Sequence, residues 1–416
     1  MSERPHAVII GGGVIGTACA HYLAKAGRRV TILEKGQFGR QCSHGNCGLV
    51  CPSHVLPMAT PGAFGFAVKA MMTKNSPFYI KPRINLTLWR WLLGFAKRCN
   101  KRDMMASGVG IDAILQSSRK LYAELVDIEG IECEWETRGL LFVFHSKHGM
   151  EHYGETNQLL TNEFAAPAKP FFGDALSELE PALKPGLGGG WLYEGDAHLR
   201  PDRLMTSWRR RLEEGGAVVR ENCEVKGFVR ENGRAKAVTT DQGEIAGDEF
   251  VLAAGALTPF LNDHLGCRIP IQPGKGYSVT MPRPSRCPAI PMIFEEHRVA
   301  VTPMQTGYRL GSMMEFVGYD ETINPKRLEW LAQSAGHYLH EPACDPVQET
   351  WYGWRPMTTD SRPIIDRSPA LPNVAIAAGH NMLGLSMAPA TGKLVSELLT
   401  GETPHLNMTP YQAGRF

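Results

Sequence analysis

At 416 residues the chain is long enough to bury a large core and to divide into two domains. A formal net charge of +2 excludes the strong single-sign field of a nucleic-acid binder, and no apolar run approaches a membrane span. The ten cysteines form no C-x-x-C pair and no Cys/His grouping with zinc spacing, so Cys42, Cys47 and Cys51 are read as free thiols rather than a metal or redox centre.

The chain enters a strand almost at once, which is expected to leave no room for a signal peptide and to place the protein in the cytoplasm. Residues 6–35, HAVIIGGGVIGTACAHYLAKAGRRVTILEK, carry G-x-G-x-x-G between a buried apolar strand and a helix, then a second strand closing on Glu34. Gly11 allows the tight turn, Gly13 lets backbone approach a pyrophosphate, and Gly16 lets the helix pack on the strand. The helix N-terminus at Val14 and Ile15 offers free N–H groups to phosphates, and Glu34, with Lys35 beside it, faces the ribose. The spacing predicts dinucleotide binding without separating FAD from NAD.

The polar loop that follows, KGQFGRQCSHGNCGLV, suits the face of a cofactor through Ser43, Asn46, Cys47, Gly48 and Leu49. His44 is a candidate base, although a loop histidine is more often an ordinary hydrogen-bonding residue. Residues 52 to about 130 interrupt the pattern with helices. PRINLTLWRWLLGFAKRC sets cations among Trp, Leu and Phe. Such a helix either packs on its own protein, the favoured reading, or lies on a membrane surface. A helix is predicted over 108–129, a strand over 139–145 and helices over 149–165 and 201–214. Strands follow at 217–220, 224–231, 234–240 and 248–254. Val225, Ala254 and Gly255 belong to the segments expected beside the cofactor. Alternating strands over 269–281, 292–302 and 307–316 predict an antiparallel sheet, followed by a helix over 325–341.

Near the C-terminus, WYGWRPMTTDSRPIID places Trp354 and the cation Arg355 in an aromatic, proline-rich setting. LPNVAIAAGHNMLGLSMAPATGKL is a strand, a turn holding Gly379, His380, Met382, Leu383, Gly384 and Leu385, and a helix expected from about Ser386 with Pro389 in its first turn. A helix starting at a cofactor-facing turn suits the negative charge of a reduced flavin better than a nicotinamide.

These motifs together (GGGVIG, SHGNCG, PRINLTLWRW, PGKGYS, HRVAVTP, GSMMEFVGY, WYGWRPMTTDSRPIID, GHNMLGLSMAPATGKL and the terminal GRF) resemble the FAD-dependent D-amino acid oxidase, glycine oxidase and sarcosine oxidase superfamily. Within it the chain is similar to the small subunits of bacterial D-amino acid dehydrogenases. The resemblance implies an α/β fold: a Rossmann-like FAD-binding domain over 1–51, 200–262 and 345–416, plus an α+β substrate domain with a mainly antiparallel sheet over 52–199 and 263–344. A helical insertion falls at about 55–130 of the latter. It implies non-covalent FAD and makes Arg355 the clamp of a substrate carboxylate, where a planar guanidinium gives a two-point match. A structural arginine stacked on Trp351 or Trp354 is the alternative. Oxidases place a tyrosine where this chain has Ala300, which points to the dehydrogenase branch. The second carboxylate-binding group stays open among Tyr277, Lys275, Tyr352 and His54. The activity implied is hydride transfer from an α-amino acid, D by resemblance, to flavin N5. The products are a 2-oxo acid and ammonia, and electrons pass to a quinone or other carrier, with peripheral membrane contact and an oligomer left open. An O2-using amine oxidase, a proline or hydroxyproline dehydrogenase and a non-catalytic FAD-holding subunit are the competing readings.

Overall fold

A computed structural model describes residues 4–72 and 76–416, less the side chains of Val68, Met71 and Met72. The segment Val14–Lys25 is helical, its buried face formed by Val14, Ala18, Cys19 and Leu23. It packs on a six-stranded sheet ordered 364–367, 374–378, 249–252, 6–10, 29–33, 218–220. All neighbours run parallel except 364–367 against 374–378. The central strands are apolar throughout (Ala7 to Ile10, Phe250 to Leu252, Val374 to Ala378), because helices and loops cover both faces. The carboxyl end of strand 6–10 therefore opens at the Gly11 turn, the place where an α/β sheet binds its ligand.

A second, nine-stranded sheet runs 349–357, 272–281, 307–316, 299–304, 292–294, 140–144, 189–193, 169–171, with 78–80 paired to 307–316. It is mainly antiparallel, with parallel pairings at 292–294 with 140–144 and at 307–316 with 78–80. Residues 349–357, grouped in the sequence reading with the nucleotide-binding segments, form the edge strand of this sheet, paired to 272–281 over its whole length. Aromatic and mostly half-buried, that segment has the pattern of an edge strand rather than of a strand buried on both faces.

The helix foreseen over 108–129 runs over Lys101–Asp127, capped by the Asn100 side chain on the Asp103 N–H. It packs on the C-terminal helix, which begins at Gly384, earlier than expected, so that Pro389 lies inside it rather than in its first turn. Proline removes the N–H that would bond the Leu385 carbonyl. The Tyr122 hydroxyl donates to that carbonyl at 2.7 Å, and Ser118 Oγ accepts the Ala390 N–H at 3.0 Å. Two residues one turn apart on the neighbouring helix thus mend the break.

The helix Leu86–Arg98 packs one face on its own protein, the favoured of its two readings. Leu88, Trp91 and Phe95 are buried, with the Trp91 indole donating to the Met357 carbonyl at 2.9 Å. Leu86, Trp89 and Leu93 stay exposed.

Candidate active site

One cavity of about 2190 Å³ runs from the Gly11 turn to the inner face of the nine-stranded sheet. At its nucleotide end Gly11 has φ +111°, and a Cβ there would lie 2.4 Å from the Ala253 carbonyl oxygen. A Cβ on Gly16 would lie 1.9 Å from the Gly11 oxygen, so the helix reaches the strand only because this residue has none. The Glu34 carboxylate is buried and accepts the Gly12 and Gly36 N–H groups at 2.7 and 2.9 Å. Those bonds fix it at the strand end and leave lone pairs for ribose hydroxyls. The Val14 N–H, at the helix start, is met by Ser43 Oγ at 2.9 Å. At the other end of the cofactor path, the 384–400 helix starts at Leu383 with no side-chain cap and no acid in its first turn. Its free N–H groups and positive end face the cavity. Burial holds His380 neutral, its pKa lowered to about 3, with Nε2 3.0 Å from Thr391 Oγ1. A glycine cradle, a ribose-facing acid and an uncapped helix start fit FAD.

Of the cofactor residues read from sequence, Gly11, Gly13, Val14, Ile15, Glu34, Lys35, Ser43, Asn46, Cys47, Leu49, Val225, Ala254, Gly255, Trp354, His380, Met382, Leu383, Gly384 and Leu385 line this cavity. Four act from behind it. Gly16 supports the turn. Gly48 (φ +71°) passes within 2.0 Å, as a Cβ, of the Leu199 oxygen. Gly379 (φ +75°) turns against Thr358, and Ser386 Oγ ties the Leu49 carbonyl (3.0 Å) to the Cys51 N–H (3.2 Å).

The sheet supplies the floor. Phe142, Ile293, Ala300 and Gly311 pair in one register row and line the cavity, so Ala300 leaves an open space in its middle. Arg355 enters from the edge strand. A Cβ on Gly276 would lie 2.2 Å from Nη1 and 2.4 Å from Nη2, so the guanidinium rests over this glycine of PGKGYS, not on an indole. Nη1 donates to the Met313 carbonyl at 2.6 Å. Met313 has φ +73° and sits at the register shift where 307–316 bulges against 272–281. A bulge re-aims backbone groups, here one carbonyl toward one arginine. Among the described residues no carboxylate lies within 4 Å of Arg355. Burial lowers its pKa, and only the thiols of Cys42 and Cys47 oppose that. The half-buried cation therefore lines the cavity without a protein anion beside it.

The remaining candidates separate. Tyr352 does not reach the cavity. Lys275 is wholly buried, bound to the Thr322 carbonyl and 3.6 Å from Asp320, with its ammonium over Tyr277 and Tyr352. Lys275 does not line the cavity either, its ammonium being taken up between the Tyr277 and Tyr352 rings. Tyr277 lines the cavity, but its hydroxyl is held by Glu315 at 2.9 Å. His54 lines the cavity against Phe142, with ring centroids 5.4 Å apart, and burial lowers its pKa to about 4. His44 bonds Glu349 at 2.7 Å and Arg40 at 3.1 Å, a structural pairing.

Sequence reasoning missed Arg309. Its buried guanidinium donates to Thr280 Oγ1 (2.9 Å) and to the carbonyls of His44 (3.2 Å) and Asn46 (2.8 Å), holding the 43–48 loop against the sheet. Nothing in its local setting, GYRLGS, marks it. It also missed the far wall, where Tyr153, Tyr193 and Glu295 line the cavity from three separate elements.

The fold and this cavity define an FAD-dependent oxidoreductase. Residues 6–398 match the family described as FAD dependent oxidoreductase, and the chain belongs to that family. Over 98% of its length it is 31% identical to the D-amino acid dehydrogenase of Methylobacterium nodulans, covering 98% of that protein. The D-amino acid dehydrogenase of Agrobacterium fabrum is 29% identical over 98% of this chain and 99% of its own. Among solved structures, glycine oxidase from Geobacillus kaustophilus superposes with a TM-score of 0.81 at 21% identity, covering 100% of both chains. L-proline dehydrogenase from P. horikoshii superposes with a TM-score of 0.73 at 24% identity, over 100% of this chain and 98% of that one.

Proposed function

We propose that the protein oxidises a D-α-amino acid to the 2-oxo acid and ammonia, holds FAD without a covalent link, and passes electrons to a quinone or another carrier instead of O2. The observation that carries this reading is Arg355: a half-buried guanidinium over Gly276, open to the cavity and without a protein carboxylate. FAD, when bound, supplies the two-electron acceptor for the Cα–H bond. Arg355 binds the substrate carboxylate through the N–H groups that Met313 leaves free, fixing Cα over the cofactor path. The small side chain of Ala300 gives room above the floor. The uncapped start of the 384–400 helix would stabilise negative charge on the cofactor, a task to which His380, held neutral by burial, adds no charge. The imino acid product then hydrolyses.

The dehydrogenase names of the whole-length relatives support the D-amino acid, and Ala300 supports a non-oxygen acceptor. Exposed Trp89, Leu86, Leu93 and Ile84, with Phe64 and Phe66 on the helix before, make an apolar surface beside the mouth of the cavity. Arg90 and Lys97 flank it, which suits peripheral contact with a quinone-bearing membrane. No described helix is long and apolar enough to cross one. The reading is tested by stopped-flow reoxidation of substrate-reduced enzyme, with air-saturated buffer in one run and a soluble ubiquinone analogue in the other. Faster reoxidation by the quinone supports it. Faster reoxidation by oxygen, with stoichiometric peroxide, makes the enzyme an oxidase.

A further inference from the structure

One cluster in the cavity wall has no part in that chemistry. Cys51 and His54 follow the short strand 49–50, and Asp196 lies in the turn between strands 189–193 and 197–198. They bring a thiol, an imidazole nitrogen and a carboxylate oxygen within 4.8 Å of one another. Cys51 and Asp196 are 2% and 0% exposed, and His54 Nδ1 is buried with no hydrogen-bond partner. No cation lies within 4 Å of the Asp196 carboxylate among the described residues. Arg119, whose charge reaches it, donates instead to the Gly195 carbonyl at 3.3 Å. The cluster thus holds a buried carboxylate with no cation and a buried nitrogen with no partner, each unfavourable alone.

We infer that Cys51, His54 and Asp196 form a site for one divalent transition-metal ion of the Zn²⁺ type. A thiolate, an imidazole and a carboxylate are three ligands that a borderline-soft ion with tetrahedral preference takes together. Ion–ligand bonds of about 2.0–2.3 Å place such ligand atoms about 3–4 Å apart, within the spread of this cluster. Ser53 supplies the outer shell: its N–H and hydroxyl donate to the two Asp196 oxygens at 3.1 and 2.6 Å, fixing the carboxylate. The Phe142 ring against His54 fixes the imidazole from the other side. Cys51 and His54 line the cavity while Asp196 does not, so the fourth position opens toward the substrate space. Binding releases the Cys51 thiol proton to solvent and leaves every donor partnered. The ion would clip the 51–54 segment to the 195–196 turn. Sequence spacing hides the site, because Cys51 and His54 are only two ligands and the third comes from a distant turn.

The test is zinc uptake by the chelator-treated, FAD-loaded enzyme, read by equilibrium dialysis against Zn²⁺ with flavin content as the check on folding. One equivalent per FAD is expected, with affinity reduced at least a hundredfold in Asp196→Asn and in Cys51→Ser. Zinc-edge X-ray absorption on the wild-type enzyme needs no variant: one sulfur at about 2.3 Å with nitrogen or oxygen neighbours at about 2.0 Å is expected. Failure to take up zinc stoichiometrically overturns the inference, and so does a zinc shell without sulfur. Uptake unchanged in both variants overturns it too, since the ion then sits elsewhere.

Discussion

At the scale of single residues, function depends on how a few side chains are left unsatisfied. Arg355→Ala should keep FAD and fold but lower kcat/KM by roughly 30- to 1000-fold, the loss of a charge-assisted two-point contact of about 2–4 kcal/mol. Steady-state kinetics with flavin content check it, and unchanged kcat/KM removes Arg355 from the site. Gly276→Ala tests the same placement from the neighbouring strand. Its new methyl would fall where the guanidinium lies. Misplacing the clamp by about 1 Å should cost on the order of 100-fold in kcat/KM with FAD retained. His380 carries a pH signature. Its folded pKa, lowered to about 3 from 6.5, means the unfolded chain binds a proton that the folded one refuses. Its contribution to stability is complete above pH 6.5 and is lost as pH falls toward 3. Between pH 6.5 and 5.0 the wild type should lose roughly 1.5 kcal/mol more than His380→Gln, measured by urea unfolding at each pH. Equal losses would show that His380 is not held neutral. Arg355 was legible in W-x-G-x-R-P. Its cradle was not, because Gly276 and Met313 meet it through strand pairing, which local sequence does not encode.

Among the elements, the βαβ opening and the C-terminal strand–turn–helix were the readable parts, since glycines and apolar periodicity mark both. Pro389 was misplaced for an instructive reason. Proline inside a helix is excluded on local grounds, and tolerance came from Tyr122 and Ser118 on a helix far away in sequence. Tyr122→Phe leaves the buried Leu385 carbonyl without a donor and should destabilise the protein by about 1–3 kcal/mol with FAD still bound. Thermal or urea unfolding decides it. No measurable change would mean that the carbonyl finds another donor. The placement of 349–357 has the same lesson: chain order put it with the nucleotide-binding segments, whereas its pairing with 272–281 puts it in the other sheet.

For the whole molecule, two sheets enclose one cavity, the parallel sheet presenting the dinucleotide cradle and the antiparallel sheet the floor and the clamp. The class of chemistry follows from that enclosure, while the residues of the far wall come from segments too scattered to be read together in sequence. The most direct test of D-amino acid oxidation at the Arg355 site is anaerobic bleaching of the bound flavin by a panel of D- and L-amino acids. At least one D-amino acid should bleach the wild type, its L-enantiomer should not, and Arg355→Ala should need a far higher concentration. A flavin that dithionite reduces but no amino acid bleaches, or one bleached only by L-enantiomers, would contradict the account.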